Sequence, residues 1–112
     1  MTDDLRRRFG PEYEAAFSRY VSRPGEGGLA VAYEIGRSAV ARGLSLLDLS
    51  AMHHAALLRE LRAARDQEDL EERVRAASAF FGEVMATFEM TRRGFVESLA
   101  DAGAERPDGP PA

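Results

Sequence analysis

Several residue types are missing from this 112-residue chain, and their absence excludes whole classes of chemistry. There is no cysteine, so disulfides, thiolate zinc sites and cysteine nucleophiles are excluded. Because a disulfide framework is the main sign of a secreted scaffold, we expect an intracellular, cytoplasmic protein. Tryptophan and lysine are also absent, and all 15 basic residues are arginine.

Long apolar runs are missing too, so the sequence predicts no transmembrane span and no membrane partner. The first ten residues, MTDDLRRRFG, lack the apolar stretch of a signal peptide. The net charge is −4, which argues against nucleic acid as a partner. A DNA-bound regulator that uses Arg6 to Arg8 is the least favoured interpretation, because that short run follows two aspartates.

The residues that are abundant favour helices, and the length suits one domain. Apolar spacing and Gly/Pro breaks predict four helices: Pro11–Val21, Leu29–Arg42, a third from Ser45 that fades at Ala63, and Leu70–Ala100. We expect an all-α, four-helix bundle-like domain with a long C-terminal helix. Residues 1–9 are expected to be a flexible arm, residues 10–100 the helical module and residues 101–112 a disordered tail.

Three local signals refine this prediction. Gly36 lies on the apolar face inside the second helix, where glycine indicates close approach by another helix backbone. Gly43 follows the last periodic residue and suits a left-handed helix end. Ser45 and Asp48 have the spacing of a capping box, although aspartate reaches less far than the preferred glutamate.

The length of the fourth helix predicts an association. About thirty residues at 1.5 Å each span roughly 45 Å, whereas a compact domain of this size is roughly 35 Å across. The helix therefore either kinks, near Gly82 or Gly94, or extends beyond its own domain. An extended amphipathic helix exposes an apolar stripe that a second copy can cover, so we expect a homodimer.

The two histidines, His53 and His54, are the first candidates for a site. Adjacent helical residues point about 100° apart, which does not suit a shared metal ion, and there is no cysteine to complete a ligand set. We therefore expect no metal. A buried or interfacial histidine with a backbone partner is the favoured interpretation of this pair.

Two carboxylates in apolar surroundings are the second candidates for a functional site. Glu34 has Arg37 three residues on, and Glu89 has Arg92 and Arg93, so local ion pairs are favoured over catalysis. The chain contains no phosphate-binding loop with a lysine, and a Ser-His-Asp triad is not supported by two adjacent histidines on one helix. We expect no catalytic residue, no cofactor and no enzyme activity.

Three segments in order carry a resemblance to a known family: LAVAYEIGRSAVARGLSLLDLS (29–50), MHHAALL (52–58) and FEMTRRGF (88–95). Together they resemble the N-terminal domain of RsbU-type stress phosphatases, over about residues 12–99. The resemblance implies a dimeric helical domain related in fold to the C-terminal domain of the circadian protein KaiA. It also implies a partner, because in RsbU-type proteins the switch kinase RsbT binds this domain and activates the attached phosphatase.

We therefore expect a non-enzymatic module that dimerises and binds a regulatory protein, such as a switch kinase or an anti-sigma-type regulator, in bacterial stress or two-component signalling. The family's output domain does not follow the module, so we expect either a free-standing module or a fragment of a longer protein. The candidate binding or interface residues come from three of the helices: Tyr33, Gly36, Arg37, His53, His54, Phe88, Glu89, Arg92, Arg93 and Phe95. The alternative function is a small-ligand sensor, with a pocket lined by Phe80, Phe81, Met85, Phe88, Tyr33 and His53.

Overall fold

The computed structural model describes residues 2–104, and within that range the side chains of residues 4 and 7–102. Over this part of the chain the structure is entirely helices and short connections, without a strand. The helices are α1 (Thr2–Ser22), α2 (Glu26–Ala41), α3 (Leu46–Arg62) and α4 (Gln67–Ala104). The all-α prediction is confirmed.

Helix α1 begins much earlier than the sequence predicts. Pro11 is predicted as the first helical position, because an interior proline removes a hydrogen bond and crowds the preceding turn. The helix instead begins at Thr2 and contains Pro11, so the arm expected over residues 1–9 is helical from residue 2. The reason lies in Phe9, which is buried in the core and lies against the Arg42 guanidinium. Burial of one aromatic side chain, about 1.5–3 kcal/mol, offsets much of the local cost of proline.

The connection between α2 and α3 follows the predicted local signals. Gly43 has a φ of +76°, in the left-handed region that favours glycine, and it ends α2. The Ser45 hydroxyl accepts a hydrogen bond from the Asp48 amide at 3.0 Å, and the Asp48 carboxylate accepts one from the Ser45 amide at 2.9 Å. The capping box is therefore confirmed, and aspartate is long enough to complete it.

Aromatic side chains of α1 fill the middle of the bundle around Phe80 of α4. The Phe80 ring is fully buried and contacts the rings of Tyr13, Phe17 and Tyr20 with centroid separations of 5.5–5.6 Å. The contacts with Tyr13 and Phe17 are edge-on, and aromatic pairs of this kind add about 0.5–1.5 kcal/mol each beyond the area that they bury. This cluster fixes α1 against α4 although the two helices are far apart in sequence.

Helix α4 is longer than predicted at both ends and continues without a break through Gly82 and Gly94. The Asp66 carboxylate caps its first turn by accepting a hydrogen bond from the Asp69 amide at 2.8 Å. Its last buried residue is Phe88, and every described side chain from Arg92 onward is exposed. The last thirteen residues of α4, 92–104, thus extend about 20 Å past the bundle. Of the two predicted outcomes, a kink or an overhang, the overhang is the one observed. Residues 105–112 of the expected tail lie outside the described residues.

One buried hydroxyl in α4 leads to a stability prediction. The Thr87 side chain is 1% exposed, and its Oγ1 has no hydrogen-bond partner within the described part of the chain. A buried polar group without a partner costs about 1–3 kcal/mol. Thr87→Val keeps the shape and removes the hydroxyl, so we expect the free energy of unfolding to rise by about 1 kcal/mol in urea titrations.

The control for this substitution is Thr91→Val, one turn further along α4, where the side chain is only half-buried. Water can reach that hydroxyl, so we expect a change within about 0.5 kcal/mol. A loss of stability in Thr87→Val would contradict the assignment of an unpaired hydroxyl.

Candidate functional site

Helices α2 and α4 pack closely against each other at Gly36. A Cβ atom on Gly36 would lie 2.6 Å from the Val84 carbonyl oxygen, 2.8 Å from Thr87 Cβ and 3.0 Å from the Phe88 amide nitrogen. Two of these three neighbours are backbone atoms, which cannot rotate away. The predicted close approach at Gly36 is confirmed, and this candidate site residue acts in packing.

The outer face of α2 carries the other two candidates from that helix. Tyr33 is 38% exposed, so it lies beside the buried row of Ala32, Gly36 and Ala39 rather than within it. The Arg37 guanidinium lies 6.0 Å from the centroid of the Tyr33 ring, in a cation–π arrangement. The ion pair predicted between Glu34 and Arg37 is absent from the described contacts, because Arg37 is placed over the ring instead.

The candidates on α4 divide between the core and the solvent. Phe88 is 5% exposed and belongs to the core. Glu89 and Arg93 form the predicted surface ion pair at 3.0 Å, with both side chains more than half exposed. Such a pair contributes little to stability, about 0–1 kcal/mol. Arg92 is exposed, and Phe95 is 60% exposed although it is a large apolar side chain.

The two histidines have different environments. His53 faces the core, where its ring stacks on Phe81 at a centroid distance of 4.0 Å and its Nδ1 lies 2.8 Å from the Tyr13 hydroxyl. His54 is exposed. The expectation of a backbone partner is wrong for His53, since its partner is the Tyr13 side chain. Burial raises the pKa of Tyr13 well above its usual range, so the phenol keeps its proton, and it can donate that proton to Nδ1 when the neutral imidazole carries its own proton on Nε2.

This arrangement predicts a pH dependence. Burial, with a smaller contribution from the neighbouring His54 charge, lowers the pKa of His53 to about 4, whereas an unfolded histidine titrates near 6.5. Between these values the unfolded chain binds a proton that the folded chain excludes, so stability falls as the pH drops from about 6.5 to about 4. Because the ring is only half-buried and solvent screens it, we expect a loss of up to about 2 kcal/mol over that window.

Urea titrations at several pH values test the assignment to His53. His53→Phe should show a flatter stability profile between about pH 6.5 and 4 than the natural chain. His54→Gln is the matched control and should keep most of the slope, because its ring is exposed. Equal slopes in His53→Phe and the natural chain would assign the dependence to other groups.

An ion-pair network at the junction of α3 and α4 was not predicted as a site. Arg73 Nη1 donates to the Glu60 carboxylate at 2.9 Å, and Arg73 Nε donates to Asp69 at 3.3 Å. The same Nη1 also lies 3.4 Å from the Glu60 carbonyl oxygen. A hydrogen bond from the Arg65 amide is the largest cause of the lowered pKa of Asp69, and Arg73 contributes to the same shift. The only sequence signal was Glu60 at an apolar position of α3.

The pocket expected for a ligand sensor does not form as a group. Phe80 is fully buried and contacts three aromatic rings of α1, and Phe81 stacks on His53. Tyr33 lies on the outer face of α2. Since Phe80 and Phe88 belong to the packed core and Tyr33 to the surface, the burial of these side chains does not favour the sensor as a second function.

Metal binding and membrane insertion are two further properties that the described residues address. No group of three or more His, Asp or Glu side chains there is placed to hold a metal ion. None of the described helices has the length and apolar character needed to cross a membrane.

Comparison with known families assigns the chain. Residues 11–91 match the family described as the N-terminal domain of the phosphoserine phosphatase RsbU. The chain belongs to the RsbU N-terminal domain family. The match ends at residue 91, so Arg92, Arg93 and Phe95 lie just past it, in the overhanging part of α4. Neither the curated proteins nor the solved structures give a match to the chain.

Proposed function

We propose that this RsbU N-terminal domain is a non-enzymatic regulatory module of stress signalling in the bacterial cytoplasm. It pairs with a second copy through the overhanging segment of α4, residues 92–104, and binds a regulatory protein such as a switch kinase. Family membership supports the regulatory role, because the matched family is the N-terminal domain of a phosphatase.

The observation that carries the proposal is the apolar surface of the overhanging segment. Phe95, Val96 and Leu99 are 55–60% exposed, and the bundle of the same chain is too distant to cover them. Phe88, Phe95 and Leu99 are separated by seven and four residues, which is the a/d spacing of a coiled-coil seam. Pairing of two α4 helices would give the apolar surface of each helix an apolar partner. Burial of two such side chains per chain contributes about 1.5–3 kcal/mol for each side chain.

Sedimentation of the full chain tests the pairing. We expect a mass twice that of one chain at micromolar concentration, and a single-chain mass for the double substitution Phe95→Glu/Leu99→Glu, because each places a charge in the seam. Glu97→Gln and Ser98→Glu, on exposed positions between the two apolar residues, are the matched controls and should stay paired. A strict monomer at high micromolar concentration would rule out the pairing.

Partner binding is tested by affinity purification from the native cells with the full chain as bait. We expect recovery of a kinase or an anti-sigma-type regulator of the same pathway. Recovery of neither, with a bait that is folded by circular dichroism, would contradict the regulatory role.

A further inference from the structure

A groove between α1 and α2 combines an apolar floor with two cations. It has a volume of about 330 Å³ and is half enclosed. Its lining comes from one face of α1 with the residue after it, and from the first two turns of α2: Ala16, Arg19, Tyr20, Arg23, Gly27, Gly28 and Val31. This volume is at the lower end of the range for binding pockets, which suits one or two side chains rather than a bulky cofactor.

The charge of this groove is not neutralised within the described part of the chain. Arg19 and Arg23 are exposed, and neither forms an ion pair with any described side chain. Six other arginines do form such pairs: Arg42, Arg59, Arg65, Arg73, Arg75 and Arg93. Two like charges four residues apart repel by a few tenths of a kcal/mol. In a chain with a net charge of −4, this groove is therefore a local positive site without an acidic lining residue.

Packing explains one of the two glycines at the groove but not the other. Gly28 is required by packing, because its Cβ would lie 2.5 Å from the Tyr20 ring. Gly27 is not, because a Cβ there would meet no atom within 4 Å. The absence of a side chain at Gly27 leaves the groove open, with Val31 40% exposed on the same helix. Packing within one chain thus accounts for Gly28 and leaves Gly27 and Val31 accessible to another molecule.

We propose that this groove docks an acidic segment of a partner protein. Carboxylates of that segment pair with Arg19 and Arg23, and an apolar side chain between them enters the groove over Tyr20 and Val31. The inference rests on the proposed function, that the chain works by binding proteins, and it adds the surface and the chemistry of the partner. Charge complementarity favours an acidic segment, because a basic one would meet two guanidinium groups of its own sign.

The probe is a blocked eight-residue peptide of alternating aspartate and leucine, titrated into the ¹⁵N-labelled full chain. We expect the amide signals of Gly27, Gly28 and Val31 to shift, with an affinity that falls as salt rises. The double variant Arg19→Gln/Arg23→Gln should bind at least tenfold more weakly, and so should Gly27→Leu, which fills the groove. Arg62→Gln, at an exposed arginine on α3, is the control and should stay within twofold of the natural chain.

The matching asparagine–leucine peptide and sodium acetate separate the alternatives. If the asparagine peptide binds as tightly as the aspartate peptide, the groove does not recognise carboxylates. If acetate alone causes the same amide shifts as the aspartate peptide, the groove is a site for free anions. Either result overturns the proposal. Absence of shifts at millimolar aspartate peptide overturns it as well. In the affinity purification, a partner held equally by the natural chain and by Arg19→Gln/Arg23→Gln would overturn the groove while leaving the proposed function intact.

Discussion

Replacement of Gly36 by alanine is expected to destabilise the bundle by about 2 kcal/mol or more. In an ordinary helix the same substitution stabilises by about 1 kcal/mol, because alanine has the higher helix propensity. Here the new methyl group would lie 2.6 Å from the Val84 carbonyl oxygen and 3.0 Å from the Phe88 amide nitrogen. Both are backbone atoms of α4, so α2 and α4 must separate, and the side chains packed between them lose contact.

Gly82→Ala is the matched control for this prediction. Gly82 also lies inside a helix, but it is exposed and a Cβ there would meet no atom within 4 Å. We expect Gly82→Ala to raise the free energy of unfolding by about 0.5–1 kcal/mol. Urea titrations, monitored by the circular dichroism signal of the helices, would thus show a lower free energy of unfolding for Gly36→Ala and a higher one for Gly82→Ala. Stabilisation in both variants would contradict the close contact at Gly36.

Signals that depend on neighbouring residues in sequence were predicted well. The Ser45–Asp48 capping box, the left-handed Gly43 and the Glu89–Arg93 pair all involve groups within four positions of each other, and each was correct. The close approach at Gly36 was also correct, because glycine is unfavourable inside a helix unless a neighbouring backbone leaves no room for a side chain.

Features that depend on the assembled bundle were predicted less well. The start of α1 was misplaced because the burial of Phe9 against Arg42, 33 positions away, outweighs the local effect of Pro11. His53 was expected to have a backbone partner, yet its partner is the Tyr13 hydroxyl, 40 positions away. Helical periodicity predicts that a side chain faces inward, but it does not identify what it meets there.

The candidate interaction residues show the same limit. Tyr33 and Gly36 are both candidates from the sequence, whereas burial separates them into an exposed ring and a packed glycine. Phe88 and Phe95 belong to one apolar stripe in the sequence, but the bundle ends between them, so one is core and the other is exposed. The end of a bundle is set by the lengths of all its helices together. The apolar pattern of one helix therefore does not show where the bundle ends.

Substitution of Arg73 by leucine is expected to have the largest effect on stability, a loss of about 3–5 kcal/mol. The Glu60 side chain is 11% exposed and its carboxylate is held by Arg73 at 2.9 Å, with Asp69 on the other side of the same guanidinium. Without Arg73 the Glu60 carboxylate stays buried and unpaired, which is more costly than the loss of the attraction alone. Arg75→Leu, which breaks only the exposed pair with Glu71, is the control and should cost less than about 1 kcal/mol.

A double-mutant cycle shows whether the loss comes from the buried charge. Glu60→Leu combined with Arg73→Leu removes both charges, and apolar replacement of a whole buried pair is often neutral. We therefore expect the double variant to recover at least about 2 kcal/mol relative to Arg73→Leu alone, measured by urea titration. Additive losses would mean that Arg73 stabilises the junction by packing its aliphatic stem. Recovery would identify the α3–α4 junction as a point where one cation neutralises two carboxylates, so that the acidic start of α4 can pack against the end of α3.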